Sequence, residues 1–227
     1  MNEWHHGHPS APPTAGAGLV HVVDDEAGVR EALSFLLGLH GFQVNSYPQG
    51  EAFLDIHEGS PAGPSGVVLL DVRMEPLSGL QVHERMRQRQ WRAPVLFLSG
   101  HGDIPMAVEA LQNGAFDFIE KPCGDDALIQ KLHRAMAVAR QTAQQAQAGA
   151  ELAARVASLT DREREVIRRV ASGMMNKVIA DDLGVAMRTV EVHRARALAK
   201  LGVRSAAEAA ALLVQLGPEA WPAEREG

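Results

Sequence analysis

Short apolar runs alternate along the first part of the chain with stretches in which apolar residues return every three or four positions. The runs are Leu19-Val20-His21-Val22-Val23, Phe42-Gln43-Val44, Val67-Val68-Leu69-Leu70, Val95-Leu96-Phe97-Leu98 and Phe116-Asp117-Phe118-Ile119-Glu120. Runs this short and this rich in β-branched residues suit strands covered on both faces, as in a parallel sheet. Between the first two, Val29, Leu33, Leu36 and Leu37 recur at helical spacing before Gly41 ends the segment. The pattern predicts strands near 19–23, 42–46, 67–70, 94–98 and 116–119, and helices near 27–39, 50–57, 78–90, 103–113 and 125–139. Strict strand–helix alternation implies an α/β fold, a five-stranded doubly wound parallel sheet.

A different pattern follows. Residues 140–157 are rich in Ala and Gln, including Gln141, Gln144, Gln145 and Gln147, with little apolar periodicity until Leu152 and Val156. Both residues favour helix, so the stretch reads as an extension of the preceding helix with Gly149 as its weak point. A coiled coil competes with this reading, although sustained apolar heptads are missing. Thr160-Asp161-Arg162-Glu163 then forms a capping box that opens an all-α module of four helices. Its predicted inward residues are Val166, Ile167 and Val170; Val178, Ile179 and Leu183; Val190, Ala197, Leu198 and Leu201; and Leu212, Leu213 and Leu216. Ser172-Gly173 and Gly184 supply the turns of a helix-turn-helix.

The chain of 227 residues, 46% hydrophobic, has room for two folded domains. Cys123 is the only cysteine, which excludes an internal disulfide framework and points to the cytoplasm. No run has the length of a membrane span and the start lacks a signal-peptide pattern, so no membrane association is expected. Residues 1–18, with His5, His6 and His8, read as a disordered N-terminal tail without an assigned function, and residues 218–227 as a C-terminal tail. The net charge of −6 is unevenly distributed: residues 19–139 carry 9 Lys/Arg against 16 Asp/Glu, whereas residues 158–217 carry 10 against 7. The second module is therefore basic enough to favour nucleic-acid contact.

Polar tags close the apolar runs: Asp24-Asp25 after the first, Asp71 after the third, Ser99 after the fourth and Lys121-Pro122 after the fifth. Ligands of such sheets bind at the carboxyl ends of the strands, so these residues should meet on one rim. Three carboxylates there repel one another unless a cation joins them, and all-oxygen ligands favour Mg²⁺. Asp24-Asp25 taken alone would equally serve to cap a helix.

With these tags in this order, the chain resembles a two-component response regulator. The resemblance runs from Leu19 to about Gly217, with a flavodoxin-like receiver over 19–139 and a helix-turn-helix domain of the LuxR/NarL class over 158–217. Asp71-Val72-Arg73-Met74, Ser99-Gly100-His101-Gly102-Asp103 and Arg188-Thr189-Val190-Glu191-Val192-His193-Arg194 point to the FixJ-like subfamily. The resemblance implies that Asp71 accepts a phosphoryl group from a sensor histidine kinase. It implies Mg²⁺ held by Asp25, Asp71 and the backbone carbonyl of Arg73, with Asp24 linked through water. Lys121 would pair with the phosphoryl group, Ser99 would donate a hydrogen bond to it, and Phe118 would follow Ser99 as a switch. Movement of the face formed by the fourth helix, fifth strand and fifth helix would give a homodimer, with Asp103, Lys131 and Arg134 placed for cross-dimer pairs.

For DNA, the resemblance implies that Glu191, Val192 and Ala195 meet base edges in promoter DNA. Lys177, Arg188, Thr189, Arg194, Arg196 and Lys200 would hold phosphates. RNA polymerase is the implied further partner, and activation the expected direction. Two departures from the family pattern stand out: Glu75-Pro76, where Pro usually follows the Asp-x-x-Met segment directly, and Ala186, where a capping Ser is usual. Beyond slow loss of its own phosphate no enzyme activity is expected, since Arg73 occupies the place of a phosphohydrolase's second Asp. The alternative reading is a regulator that uses a receiver-like domain without phosphate, responding to a protein or small-molecule partner.

Overall fold

The computed structural model describes residues 16–100 and 104–216. The described residues divide into two units, with the boundary between Gln144 and Gln145.

The first unit alternates β1 (Gly18–Val23), α1 (Ala27–Leu39), β2 (Phe42–Tyr47), α2 (Gly50–Ile56), β3 (Val67–Asp71), α3 (Gly79–Gln88), β4 (Val95–Ser99), α4 (Ile104–Gln112) and β5 (Asp117–Glu120) before α5 (Asp125–Ala157) begins. The strands lie in the order β2-β1-β3-β4-β5 and all pair in parallel. Every residue of β3 and β4 is buried, as expected of central strands covered on both faces. Successive side chains alternate between two apolar layers. Val68, Leu70, Val95 and Phe97 pack with Phe53, Leu54, Val82 and Met86 of α2 and α3. Val67, Leu69, Leu96 and Leu98 pack with Leu37, Leu128, Leu132 and Met136 of α1 and α5.

The start of the unit differs from the expected tail. Gly18 opens β1, Ala17 packs against the second apolar layer, and Arg140 donates to the carbonyls of Gly16 and Ala17. Anchoring by Arg140 is a contact 123 residues away in sequence and has no local signal. The remainder of the expected tails, residues 1–15 and 218–227, lies outside the described residues, as do residue 217 and Asp103.

Helix α5 is 33 residues long and runs through Gly149 without interruption, its Ala and Gln neighbours sustaining the helix. The second unit contains α6 (Asp161–Ala171), α7 (Asn176–Leu183), α8 (Met187–Leu201) and α9 (Ala206–Leu216). Thr160 and Glu163 form the expected capping box. Val166, Ile167, Val170, Val190, Ala197 and Leu201 are buried as the periodicity predicts. Two inward stripes were placed differently. Ile179 is buried and Leu183 packs in part as expected, but Val178 is 40% exposed and Ala180 is buried in its place. In α9 the small Ala209 is fully buried, and Leu212, Leu213 and Leu216 pack only in part.

Candidate functional site

The rim of the first unit is built by strand ends. Asp24 follows β1, Asp71 ends β3, Ser99 ends β4 and Lys121 follows β5, so parallel pairing brings residues almost a hundred positions apart together. Lys121 Nζ donates to Asp71 Oδ1 at 2.6 Å and to Asp24 Oδ2 at 2.9 Å. The Lys121 backbone N–H donates to the Ser99 carbonyl, fixing the base of the lysine on β4. The peptide bond to Pro122 is cis, and so is Glu75-Pro76.

The second oxygen of each aspartate is also engaged. Asp71 Oδ2 accepts the N–H of Arg73 at 2.7 Å, and Asp24 Oδ1 accepts the N–H of Glu26, the residue that caps α1, at 2.9 Å. Asp24 does not cap α1: Glu26 is the N-cap, no side chain caps the helix, and the Asp24 bond closes a turn ahead of it while its other oxygen meets Lys121. Gly79 keeps the β3–α3 loop tight: a Cβ there would lie 2.1 Å from the Asp71 carbonyl oxygen, a distance no side chain tolerates.

Asp24 is 1% and Asp71 8% exposed. Burial pushes the Asp71 carboxyl above the ordinary aspartate range, and the hydrogen bond and charge of Lys121 only partly offset this. Burial alone would lower the lysine, but the bonds from Asp71 and Asp24 outweigh it and raise its pKa. The pocket thus holds a firmly charged ammonium beside a carboxylate that lacks full compensation.

Ser99 is buried and its Oγ donates to the Gly100 carbonyl at 3.1 Å. Phe118 is half-buried, with its ring 6.3 Å from that of Phe97. Asp25 is exposed beside the pocket, and Glu75 is exposed on the β3–α3 loop. Among the described residues no three His, Cys, Asp or Glu side chains are gathered as a side-chain metal cage. The donor set nonetheless fits Mg²⁺, which takes one or two carboxylates and retains several waters. Asp71, Asp25 and the Arg73 carbonyl offer oxygen only.

Lys131 and Arg134, expected to pair across a dimer, both reach Asp117 of their own chain, at 2.7 and 3.5 Å.

In the second unit α8 buries Val190, Ala197 and Leu201, and leaves Arg188, Thr189, Glu191, Val192, Ala195 and Arg196 exposed on one side. Lys177 of α7 is exposed as well. Ala186 is the N-cap of α8 and makes no side-chain capping bond, as its sequence predicts. Two of the expected phosphate-holding cations are occupied within the fold. Arg194 donates to Asn176 Oδ1 at 3.0 Å, and Lys200 pairs with the buried Glu163 at 2.6 Å. A phosphate contact from either would compete with these bonds.

This arrangement has known counterparts. Residues 20–133 match the family model for the response regulator receiver domain, and residues 157–213 that for bacterial regulatory proteins of the luxR family. The transcriptional regulatory protein FixJ of Bradyrhizobium diazoefficiens is 40% identical over 200 residues, covering 88% of this chain and 96% of FixJ. The chain belongs to the two-component response regulators. The C4-dicarboxylate transport transcriptional regulatory protein DctR of Rhodobacter capsulatus is 44% identical over 84% of this chain and 96% of its own. Among solved structures, the response regulator StyR matches with a TM-score of 0.79 at 36% identity, over 87% of this chain and 98% of StyR. Full-length FixJ from B. japonicum matches at 0.54 and 39% identity, over 89% of this chain and 98% of FixJ.

The protein is thus a transcription regulator with a receiver and a LuxR-type DNA-binding domain, of a family of regulators rather than enzymes. A receiver implies a histidine kinase as partner, and the luxR-family domain implies DNA. Receiver domains generally use Mg²⁺. No helix among the described residues is long and apolar enough to cross a membrane.

Sequence reading missed the partners that hold these groups in place. Asn176 and Glu163 carry a faint signal, since Asn is a frequent helix-end residue and Glu163 belongs to the capping box. Ser78-x-x-Gln81 forms a second capping box, on α3, with the same Ser/Thr-x-x-Glu/Gln signature as Thr160–Glu163.

Proposed function

We propose that this response regulator takes a phosphoryl group on Asp71 from a histidine kinase and thereby controls its hold on promoter DNA. The observation that carries the reading is the Lys121 bridge between Asp24 and Asp71 at the strand ends. Phosphoryl transfer needs positioning and charge compensation more than covalent help. An Asp71 carboxylate oxygen attacks phosphorus in line, the P–N bond to the donor imidazole breaks, and the nitrogen keeps the electron pair. Asp25, Asp71 and the Arg73 carbonyl would hold Mg²⁺, with Asp24 linked through water, and the ion would supply charge neutralisation for the transferring group.

Lys121 is already fixed by backbone and side chain, so its ammonium needs only to exchange its bond to Asp71 for one to a phosphoryl oxygen. Ser99 Oγ would turn from the Gly100 carbonyl to donate to the same group, and Phe118 would follow into the space vacated. Rearrangement of the α4–β5–α5 face would favour a homodimer, which sets two output domains on paired half-sites. Glu191, Val192 and Ala195 would meet base edges, while Lys177, Arg188, Thr189 and Arg196 would hold phosphates. Residues 19–139 act as receiver, 140–157 as helical linker and 158–217 as output domain, in the cytoplasm, with RNA polymerase contacted at the promoter in an activating role. Turnover is confined to slow loss of the protein's own phosphate.

The test is intact mass and size-exclusion volume after incubation with Mg²⁺ and a small phosphodonor, beside Asp71→Asn. One phosphoryl addition that depends on Asp71, with a shift to dimer, is expected. Addition to the variant would remove Asp71 as acceptor. No addition to either, where a control receiver is labelled, would favour a phosphate-independent regulator.

A further inference from the structure

Lys200 stands near the end of the DNA-reading helix, where a cation has an obvious use against phosphate. Its ammonium is directed inward instead. Nζ donates to Glu163 Oε2 at 2.6 Å and to the Ser158 carbonyl at 3.0 Å. The Glu163 side chain is 4% exposed, that of Lys200 36%. The same Glu163 oxygen accepts the Thr160 N–H at 2.9 Å, which closes the capping box of α6. Burial works against this carboxylate, but the Lys200 and Thr160 contacts outweigh it and hold Glu163 below its usual range.

Ser158 follows directly on α5, and its N–H and Oγ both donate back to the last turn of that helix. Beside it the Arg155 guanidinium lies against Gly202, the residue that caps α8. The end of α5, the start of α6 and the end of α8 therefore share one joint, and Lys200 is the cation common to all three.

The two tasks open to Lys200 have different geometric demands. Attraction to phosphate is long-ranged and tolerates displacement, whereas base-edge contacts require placement to within about 0.5 Å. A helix is stiff, so a shift at Lys200 is carried to Glu191 about 14 Å along its axis. We propose that Lys200 is a positioning residue for base readout: through Glu163 and Ser158 it sets where α8 lies, and it makes no phosphate contact of its own. The proposal rests on the assignment of Glu191, Val192 and Ala195 as the base-reading residues.

Removing Lys200 alone strands a buried carboxylate and invites unfolding, so the test uses two gentler changes in the full chain. Lys200→Met with Glu163→Gln makes the pair neutral while Gln retains the capping bond. Lys200→Gln removes the charge and keeps a donor. A preferred duplex is first selected by the wild-type chain from random-sequence DNA. Affinities for that duplex and for a scrambled one are then measured across a salt series, with circular dichroism checking that each variant is folded at the assay temperature.

The expected result is an unchanged salt slope in both variants, with the preference for the selected duplex reduced in the double variant by about tenfold, the size of one lost base-edge interaction. Lys200→Arg should restore that preference. Arg196→Met, as the phosphate-contact control, should lower the slope by about 0.9 and leave the preference intact. A slope lowered in the Lys200 variants like that of Arg196→Met would overturn the proposal in favour of a phosphate contact. An unchanged slope together with an unchanged preference would reduce Lys200 to holding the fold. A wild-type chain that selects no duplex at all would remove the DNA-reading face and the proposal with it, an outcome separable from both because it shows in the wild type.

Discussion

Asp24, Asp71 and Lys121 meet on the rim, both aspartates nearly buried and both held by the lysine. Arg188, Glu191, Val192, Ala195 and Arg196 stand exposed along one side of α8, where the buried stripe of that helix does the holding. In the first unit the groups proposed to react are also part of the fold's internal charge balance. In the second, the exposed groups and the fold are largely separate, and only Lys200 and Arg194 belong to both. A substitution in the rim should therefore move stability and chemistry together, whereas one on the exposed face should move binding alone.

The largest effect is expected at Lys121. Lys121→Met leaves two carboxylates facing each other, and the loss should be about 2–3 kcal/mol, less than the roughly 3–5 of a fully buried pair because the lysine retains solvent contact. Urea unfolding at neutral pH measures it, and Mg²⁺ should return part of the loss. A variant as stable as wild type would show that the rim charges take no part in holding the fold.

Next is acidification, through a cluster behind the rim. His21 is 1% exposed; its Nδ1 lies 3.1 Å from the Tyr47 hydroxyl, and His57 Nε2 lies 3.5 Å from the same hydroxyl. Burial lowers the pKa of both histidines, the bond from His21 to the Ser65 carbonyl opposing it only in part. The unfolded chain takes up these protons near pH 6.5 and the folded chain does not. Stability is then complete above that value and falls as pH is lowered from it towards the folded values, by up to about 1.4 kcal/mol per pH unit for each proton. Urea midpoints across this range check the sign, and His21→Asn should flatten the dependence.

A smaller gain is expected from Ala186→Ser, which supplies the missing cap of α8 and should add about 1 kcal/mol. Hydrogen exchange of the first amides of the helix would report it, with slower exchange as the predicted direction. Smallest is Lys177→Gln: stability unchanged, and a salt slope lower by about 0.9, equal to roughly a threefold change in relative affinity between 50 and 200 mM salt, alike on every duplex. A loss confined to one sequence would place Lys177 on a base.

The rim was legible because a parallel sheet turns a position in sequence into a place in space. Any polar residue that closes an apolar run arrives at the same edge, so Asp24, Asp71, Ser99 and Lys121 could be assembled without coordinates. The capping box at Thr160 and the missing cap at Ala186 were legible for a similar reason, since both are local backbone chemistry.

What sequence did not carry was pairing across long separations. Glu163 and Lys200 lie 37 residues apart, and His21 and Tyr47 26 apart, with nothing in either segment that marks the other. Lys131 and Arg134, which lie 14 and 17 residues from Asp117 in sequence, pair with it within the chain. Period alone points Val178 inward beside Ile179, but α7 has only eight residues and its contact is met by Ile179 with Ala180.

Phosphorylation at the rim should change how the exposed face holds DNA, and DNA binding reads that link. The full chain, wild type and Asp71→Asn, is titrated against the duplex selected by the wild type, before and after Mg²⁺ and a small phosphodonor. Tighter binding by the phosphorylated wild type, with Asp71→Asn unmoved, is the predicted result. Equal tightening in the variant, or labelling of the wild type with no change in its hold on DNA, would contradict it.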